Sequence, residues 1–320
     1  MSQLSLVFKG MAMGMAEVVP GVSGGTIAFI TGIYERLIFA IKSVDGEFLK
    51  LLFKGKIKAA WHKIDGNFLL FLIGGMVLGI GIGVFAITWL LEHHPLLIWG
   101  FFFGLILASV YVVAKDINHW NTAPIIALVL GAILVYYVTI AVPSSANTAL
   151  WFVFLCGAVA ISALLLPGLS GSFILLLLGM YTYIIPKVKD IISGDLSGLL
   201  VIAVFAGGCL TGLLSFSRVL TWAFKNYKNL TLAFLTGLMI GSLNKVWPWQ
   251  QVLSTRINTE GEESVAFTKS ISPSAFSQLD ANFLYGTDPQ VAAVIGCMIG
   301  GLVLVLGLFA LGNKGQAGTE

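Results

Sequence analysis

The sequence predicts an all-α polytopic membrane protein, an inverted-topology repeat in which each half is a re-entrant helical hairpin plus three transmembrane helices. Three observations carry that prediction. The 320 residues are 58% hydrophobic and only 10% charged, the composition of a chain that crosses a membrane many times. The pattern Pro-Gly-x-Ser-Gly occurs twice, as Pro20-Gly21-Val22-Ser23-Gly24 and Pro167-Gly168-Leu169-Ser170-Gly171, each time inside an apolar stretch. An odd number of crossings lies between the two copies, which gives the halves opposite orientations.

A helix needs about 20 apolar residues to cross the hydrocarbon. Phe68–Leu91, Leu96–Lys115, Ala123–Val142, Leu199–Phe224, Leu230–Val246 and Pro289–Leu311 fit that length. Leu4–Lys42 and Trp151–Lys187 are too long for one crossing, and each is cut near its middle by a Pro-Gly motif. Each limb has about 15 residues, roughly 22 Å of helix. The reading is a hairpin that enters, turns at the motif and leaves on the same side; two short full spans are the alternative.

The halves align residue by residue. Pro20, Gly21, Ser23, Gly24, Gly32 and Tyr34 match Pro167, Gly168, Ser170, Gly171, Gly179 and Tyr181 without a gap. Gly74-Gly75 and Gly79 match Gly207-Gly208 and Gly212, and Phe101, Gly104 and Ser109 match Phe234, Gly237 and Ser242. In the last helix of each half, Pro124 and Gly131 are aligned with Pro289 and Gly296. The first repeat is read as residues 1–147 and the second as 148–320, with a polar insertion at about 248–288 rich in acids such as Glu260, Glu262 and Asp280. Gly74, Gly79, Gly207 and Gly212 are read as close-packing positions.

Loop charge sets the sidedness. Lys42, Lys50, Lys54, Lys56, Lys58 and Lys63 follow the first hairpin. That loop is therefore cytoplasmic, the acidic insertion is outside, and both termini are cytoplasmic. Lys187 and Lys189 fall outside, against the trend. Cys156, Cys209 and Cys297 lie in apolar runs and make neither a disulfide framework nor a metal set. No basic face suggests nucleic acid. The first apolar run continues into Glu17, so no cleavable signal is expected. Trp89, Trp99, Trp120, Trp222, Trp247 and Trp249 read mostly as an interfacial belt.

The Pro-Gly motifs are where chemistry is expected. Proline lacks an N–H and glycine weakens a helix, so the backbone opens there. Open backbone at membrane depth is tolerated where it faces protein or a wet cavity. Ser23, Gly24, Gly25 and Thr26 begin a helix whose first N–H groups, with two hydroxyls, suit an anion such as phosphate. Ser170, Gly171 and Ser172 repeat that set, and an inverted two-fold axis brings the two sets together near the midplane. Glu17, three residues before Pro20, has Leu164 as its repeat partner. A lone carboxylate there suggests proton or sodium coupling, or a cap on nearby N–H groups. Arg218 either pairs with Glu17, draws in a phosphate, or reaches to the cytoplasmic interface.

With Glu17-x-x-Pro20-Gly21-x-Ser23-Gly24-Gly25-Thr26, Pro167-Gly168-x-Ser170-Gly171-Ser172 and Gly179-Met180-Tyr181, the chain resembles the polyprenyl-phosphate transporter family over nearly its whole length. The resemblance implies a multi-pass protein of the bacterial cytoplasmic membrane. Such a protein returns undecaprenyl phosphate across the bilayer for lipid-carrier recycling in cell-wall synthesis, without a resident cofactor. It places the functional motif residues at Glu17, Pro20, Gly21, Ser23, Gly24, Pro167, Gly168, Ser170 and Gly171. The expected partners are a polyprenyl phosphate lipid and the membrane, with a homo-oligomer left open. Two rivals remain at this stage. Undecaprenyl-pyrophosphate phosphatases share the architecture, but their motif arginine is replaced here by Gly24 and Gly171, and Met13 stands where their first glutamate would be, so hydrolysis is not expected. An ion-coupled small-anion transporter is the other.

Overall fold

A computed structural model describes residues 2–19, 22–141, 147–257, 263–279 and 288–317. Pro20 and Gly21 lie outside the described residues. The first hairpin consists of α1 (Gln3–Val18), α2 (Gly24–Ile30) and α3 (Tyr34–Lys42). Two short surface helices follow, α4 (Gly46–Phe53) and α5 (Ile57–Lys63). Three long helices complete the first half: α6 (Gly66–His93), α7 (Pro95–Lys115) and α8 (Thr122–Ile140). The second half opens with α9 (Leu150–Leu165), α10 (Gly171–Leu177) and α11 (Tyr181–Ile192), then α12 (Leu199–Asn226) and α13 (Lys228–Ser242). The antiparallel strands β1 (Gln250–Ile257) and β2 (Glu263–Ser270), the short α14 (Pro273–Phe276) and finally α15 (Val291–Ala317) complete the chain.

Helix dominates, as the composition predicts. Among the described residues five helical stretches are long and apolar enough to cross a membrane: α6, α7, α8, Leu196–Asn226 and Val291–Ala310. The count rises to seven if α2 with α3 and α10 with α11 are each taken as one bent span.

The return limbs of the hairpins differ from the expected single helices. Each is broken, with a bend of 118° between α2 and α3 and 116° between α10 and α11. The cause is a left-handed glycine at each break, Gly32 with φ 69° and Gly179 with φ 70°. At both, the glycine N–H bonds three residues back and the next N–H five back. The bonds are Gly32 to Phe29 and Ile33 to Ala28 in the first hairpin, Gly179 to Leu176 and Met180 to Leu175 in the second. This is a glycine-ended helix terminus, which a side chain would strain.

The segment Leu230–Val246 is also shorter than expected as a helix. α13 stops at Ser242, and the chain turns before Pro248, whose ring disfavours helix in the preceding residue. Gln250 Nε2 donates to the carbonyls of Lys245 and Trp247, both at 2.8 Å, so these late carbonyls keep partners.

Small residues carry the helix contacts, but not all of those expected. Gly79 faces the Met11 carbonyl and Gly212 the Ala158 carbonyl. Gly74 has open space and Gly207 has only ordinary contact with a Phe154 ring edge. Their neighbours Gly75 and Gly208 do the packing, against the carbonyls of Val7 and Phe154. α1 thus packs along α6, and α9 along α12. The last helices pair across the halves, α8 with α13 and α15 with α7. Gly131 faces Phe234 O and Leu238 N, while Gly301 faces Phe101 O and Leu105 N. Phe101 and Leu105 align in sequence with Phe234 and Leu238, so Gly131 and Gly301 meet matching positions of α13 and α7. The expected partner, Gly296, has no neighbour within 4 Å. Sequence alignment slipped there because the insertion precedes α15 and glycines are frequent in it.

Two tryptophans depart from the belt. Trp99 is buried, and Trp249 is buried in a cluster with Leu96, Phe276 and Val294. The Trp249 indole donates to Pro289 O at 2.8 Å, which pins the strand hairpin to the start of α15. No structure was assigned to this insertion from its sequence.

Candidate functional site

α1 and α9 each end in extended backbone, at Val19 and Leu166, and a seven-residue helix follows each, after a Val22 N–H to Val19 O bond in the first hairpin and the Pro167-Gly168 turn in the second. The two turns touch. Ser23 caps α2 with φ −121°, and its Oγ accepts the Gly25 N–H at 3.1 Å. The same hydroxyl stands 3.4 Å from the carbonyls of Leu164 and Leu166 at the end of α9, and donates to one of them. Thr26 Oγ1 accepts the Gly168 N–H at 3.1 Å. A Cβ built on Gly25 would lie 3.3 Å from the Leu164 and Leu165 carbonyls, so glycine sets this close approach. Ser23 and Thr26 are fully buried and Ser170 is 2% exposed.

Pro167 and Gly168 are buried at the second turn. Gly168 has φ 83°, and a Cβ there would stand 3.0 Å from Leu238 O, so the turn rests directly on α13. Ser170 caps α10 without a side-chain bond to its backbone; its hydroxyl pairs with Ser172 Oγ at 2.8 Å. Ser172 is exposed. Gly171 packs against Ala160, a Cβ on it lying 2.7 Å from the Ala160 carbonyl.

Glu17 sits on the last turn of α1, and its Oε1 accepts the Gly24 N–H at 2.7 Å. The carboxylate thus caps the start of α2, the local reading left open by the sequence. A Cβ on Gly24 would come within 2.8 Å of that oxygen. Leu164, its repeat partner, offers only a backbone carbonyl.

Arg218 is exposed and engages the carbonyls of Leu214 and Val44, the latter at 3.1 Å. It therefore ties α12 to the end of α3 rather than pairing with Glu17. Ion pairs hold this same surface: Lys228 to Glu35 at 3.2 Å, Arg36 to Asp65 at 2.6 Å, and Lys63 to Asp45 at 3.2 Å. The Phe48 N–H and Lys63 hold the Asp45 carboxyl below its usual range.

Comparison with known proteins adds an independent line. A sequence profile described as undecaprenyl phosphate translocase-like matches residues 13–264. A polyprenyl-phosphate transporter of Vibrio cholerae serotype O1 is 42% identical over 314 residues, covering 98% of each chain. One from Staphylococcus aureus is 31% identical over 255 residues, 76% of this chain and 85% of its own. No solved structure matches the chain. The chain belongs to the undecaprenyl phosphate translocase-like family.

Within this family member, the meeting of the two turns includes a residue that sequence reasoning missed. Tyr34 is buried, and its hydroxyl donates to Leu165 O at 2.8 Å. The signal was its place opposite Tyr181 in the sequence alignment of the halves, two residues after the left-handed glycine. Among the described residues no group of three His, Cys, Asp or Glu side chains is placed to hold a metal. Chemically, the site is a seam of backbone and hydroxyl groups, with one carboxylate on the first hairpin's side of it.

Proposed function

We propose that this chain is a transporter that carries polyprenyl phosphate, undecaprenyl phosphate in the first instance, across the bacterial cytoplasmic membrane. The relatives named polyprenyl-phosphate transporters support that substrate class. The observation that carries the mechanism is the direct hydrogen bonding of one Pro-Gly turn to the other, Thr26 Oγ1 to Gly168 N–H above all.

In this reading the halves are an inverted repeat and the hairpins are re-entrant, the first from the cytoplasm and the second from outside, with both termini cytoplasmic. The equal bends and the matched glycine contacts of α1–α6 and α9–α12 support the repeat. The lysine-rich segment around α4 and α5 supports the sidedness.

A phosphate monoester crosses a bilayer slowly because its charge loses its water. The seam answers that cost. In the conformation described, the Gly168 N–H and the Ser23 hydroxyl are satisfied across the seam, while the Gly25 N–H and the Ser170–Ser172 hydroxyl pair are satisfied within their own hairpins. When the turns part, the Gly168 and Gly25 N–H groups and the hydroxyls of Ser23, Thr26, Ser170 and Ser172 can turn to phosphate oxygens. The isoprenoid tail stays in lipid. Glu17 lies beside the first turn, and a carboxylate next to a phosphate is repulsive unless a cation joins them. Uptake of a proton or sodium ion at Glu17 couples to head-group binding on this account. Arg218 serves the entrance on the α3 side.

The test is reconstitution into vesicles carrying a polyprenyl phosphate whose outward head groups can be chemically quenched. The wild type should expose the protected pool to quencher, and Ser23→Ala with Ser170→Ala should slow it. Equal rates with and without protein would refute the proposal. So would release of inorganic phosphate from polyprenyl pyrophosphate that Glu17→Ala abolishes, since that is phosphatase chemistry.

A further inference from the structure

Lys245 is a charged group that nothing above uses. It lies in the turn after α13, half-buried. Its Nζ stands 4.9 Å from the centroid of the Phe173 ring. Phe173 is itself buried on α10, next in sequence to Ser172 and three residues after Ser170. None of the ion pairs among the described residues includes Lys245. Its backbone is fixed from the strand hairpin: Gln250 Nε2 donates to Lys245 O at 2.8 Å, and Ser270 Oγ donates to Asn244 O at 2.9 Å. The second Pro-Gly turn rests on Leu238 and Met239 of the same helix.

An ammonium withdrawn from water loses several kcal/mol of hydration, of order. A ring face returns about 0.5–2 kcal/mol. The ring therefore leaves a deficit, and the three N–H donors of the ammonium are suited to an anion. At the start of the same helix as Phe173, the hydroxyl pair of Ser170 and Ser172 has an exposed member and no backbone cap to hold it.

We infer that Lys245, with Ser170 and Ser172, forms a docking site for the phosphate of a phosphomonoester lipid on the second hairpin's side of the molecule, under the strand hairpin. This rests on the transport reading above and names the residue that first selects the charged head. The lysine supplies the point charge, the hydroxyls supply direction, and Phe173 keeps the ammonium facing the site while it is unoccupied by substrate. The first half has Val112 at the aligned position, buried and apolar, so the capture device is built on one side only.

The experiment measures binding to the full chain in lipid nanodiscs with three probes: polyprenyl phosphate, the uncharged polyprenol and inorganic phosphate. Wild type should prefer polyprenyl phosphate over polyprenol, and failure of that arm would overturn the transport reading itself. Lys245→Met should lose about tenfold of that preference, the scale of one charge-assisted hydrogen bond, and Lys245→Arg should keep most of it. A lysine that merely satisfies the end of α13 would alter melting and leave the preference unchanged, which would overturn the inference. Ser172→Ala keeps the test independent of folding, because the side chain is exposed; it should weaken lipid-phosphate binding about threefold, the lower end for one neutral hydrogen bond. No change in Ser172→Ala would also count against the site. Inorganic phosphate competing at concentrations equal to the lipid would overturn the lipid as the source and assign a free-anion site.

Discussion

The two hairpins share a backbone and differ in their polar chemistry. In both, a 16-residue helix is followed by a seven-residue helix, and both then bend at a left-handed glycine. The first is closed: Glu17 holds Gly24, Ser23 holds Gly25, and Thr26 reaches across to Gly168. The second has leucine in place of the glutamate, no side-chain cap at Ser170, and an exposed Ser172. The frame is therefore symmetric while the charge and hydrogen-bond donors are not. A duplicated frame sets where an open backbone can exist; the unequal side chains decide which way a charged head is drawn.

The symmetry of the frame is broken most severely at the helix seams. Gly79→Leu and Gly208→Leu should each abolish folded protein, because each glycine meets a backbone carbonyl of the partner helix. We expect a loss of about 3 kcal/mol or more, from overpacking that backbone cannot relieve. Gly74→Ala and Gly207→Ala should be near neutral in the same thermal melts. Tolerance of Leu at only one of the two seams would contradict equal frames.

The polar asymmetry predicts the next largest effects. Glu17→Ala should cost about 1–3 kcal/mol by leaving the Gly24 N–H unpaired, and should remove any pH dependence of vesicle transport. Leu164→Ala, at the matching site, should leave that pH dependence intact. Thr26→Val should cost about 1–2 kcal/mol, because the buried Gly168 N–H loses its acceptor. Ser172→Ala should leave melting unchanged. Gly32→Ala and Gly179→Ala should each cost about 1 kcal/mol for the left-handed backbone, and equally, since the two glycines have nearly the same φ, 69° and 70°.

The smallest effect lies outside the membrane. Asp45 caps α4 through the Phe48 N–H and is paired with Lys63, which together hold its carboxyl below the usual aspartate range. A depressed carboxylate stabilises above its unfolded pKa and loses that contribution as pH falls through its folded value. The α4–α5 segment should therefore lose amide-exchange protection, relative to the intrinsic rate at each pH, as pH falls below the usual aspartate range, and Asp45→Asn should blunt that loss.

Much of this was legible in the sequence because its signals are local. Apolar length gives α6, α7, α8 and α12 within a few residues, and the Pro-Gly motif marks the turn at Pro167-Gly168. What escaped depends on neighbours distant in sequence. Which glycine of a pair packs is decided by the angle of the facing helix, so the expected packing at Gly74 and Gly207 falls instead on Gly75 and Gly208. The bends at Gly32 and Gly179 were visible as matched glycines but carry no sign of φ. The bond from Thr26 to Gly168 spans 142 residues, and no spacing rule reaches that far. Arg218 shows the converse: an intramembrane-looking charge whose partners, Leu214 and Val44, are carbonyls near the surface.

The central claim is that the two Pro-Gly turns must separate for a head group to pass. A cysteine pair at Ser23 and Leu166, in a chain with Cys156, Cys209 and Cys297 replaced, tests it directly. Oxidative crosslinking should proceed to completion and stop polyprenyl phosphate transport in vesicles, and reduction should restore it. Wild-type transport by fully crosslinked protein would contradict the account.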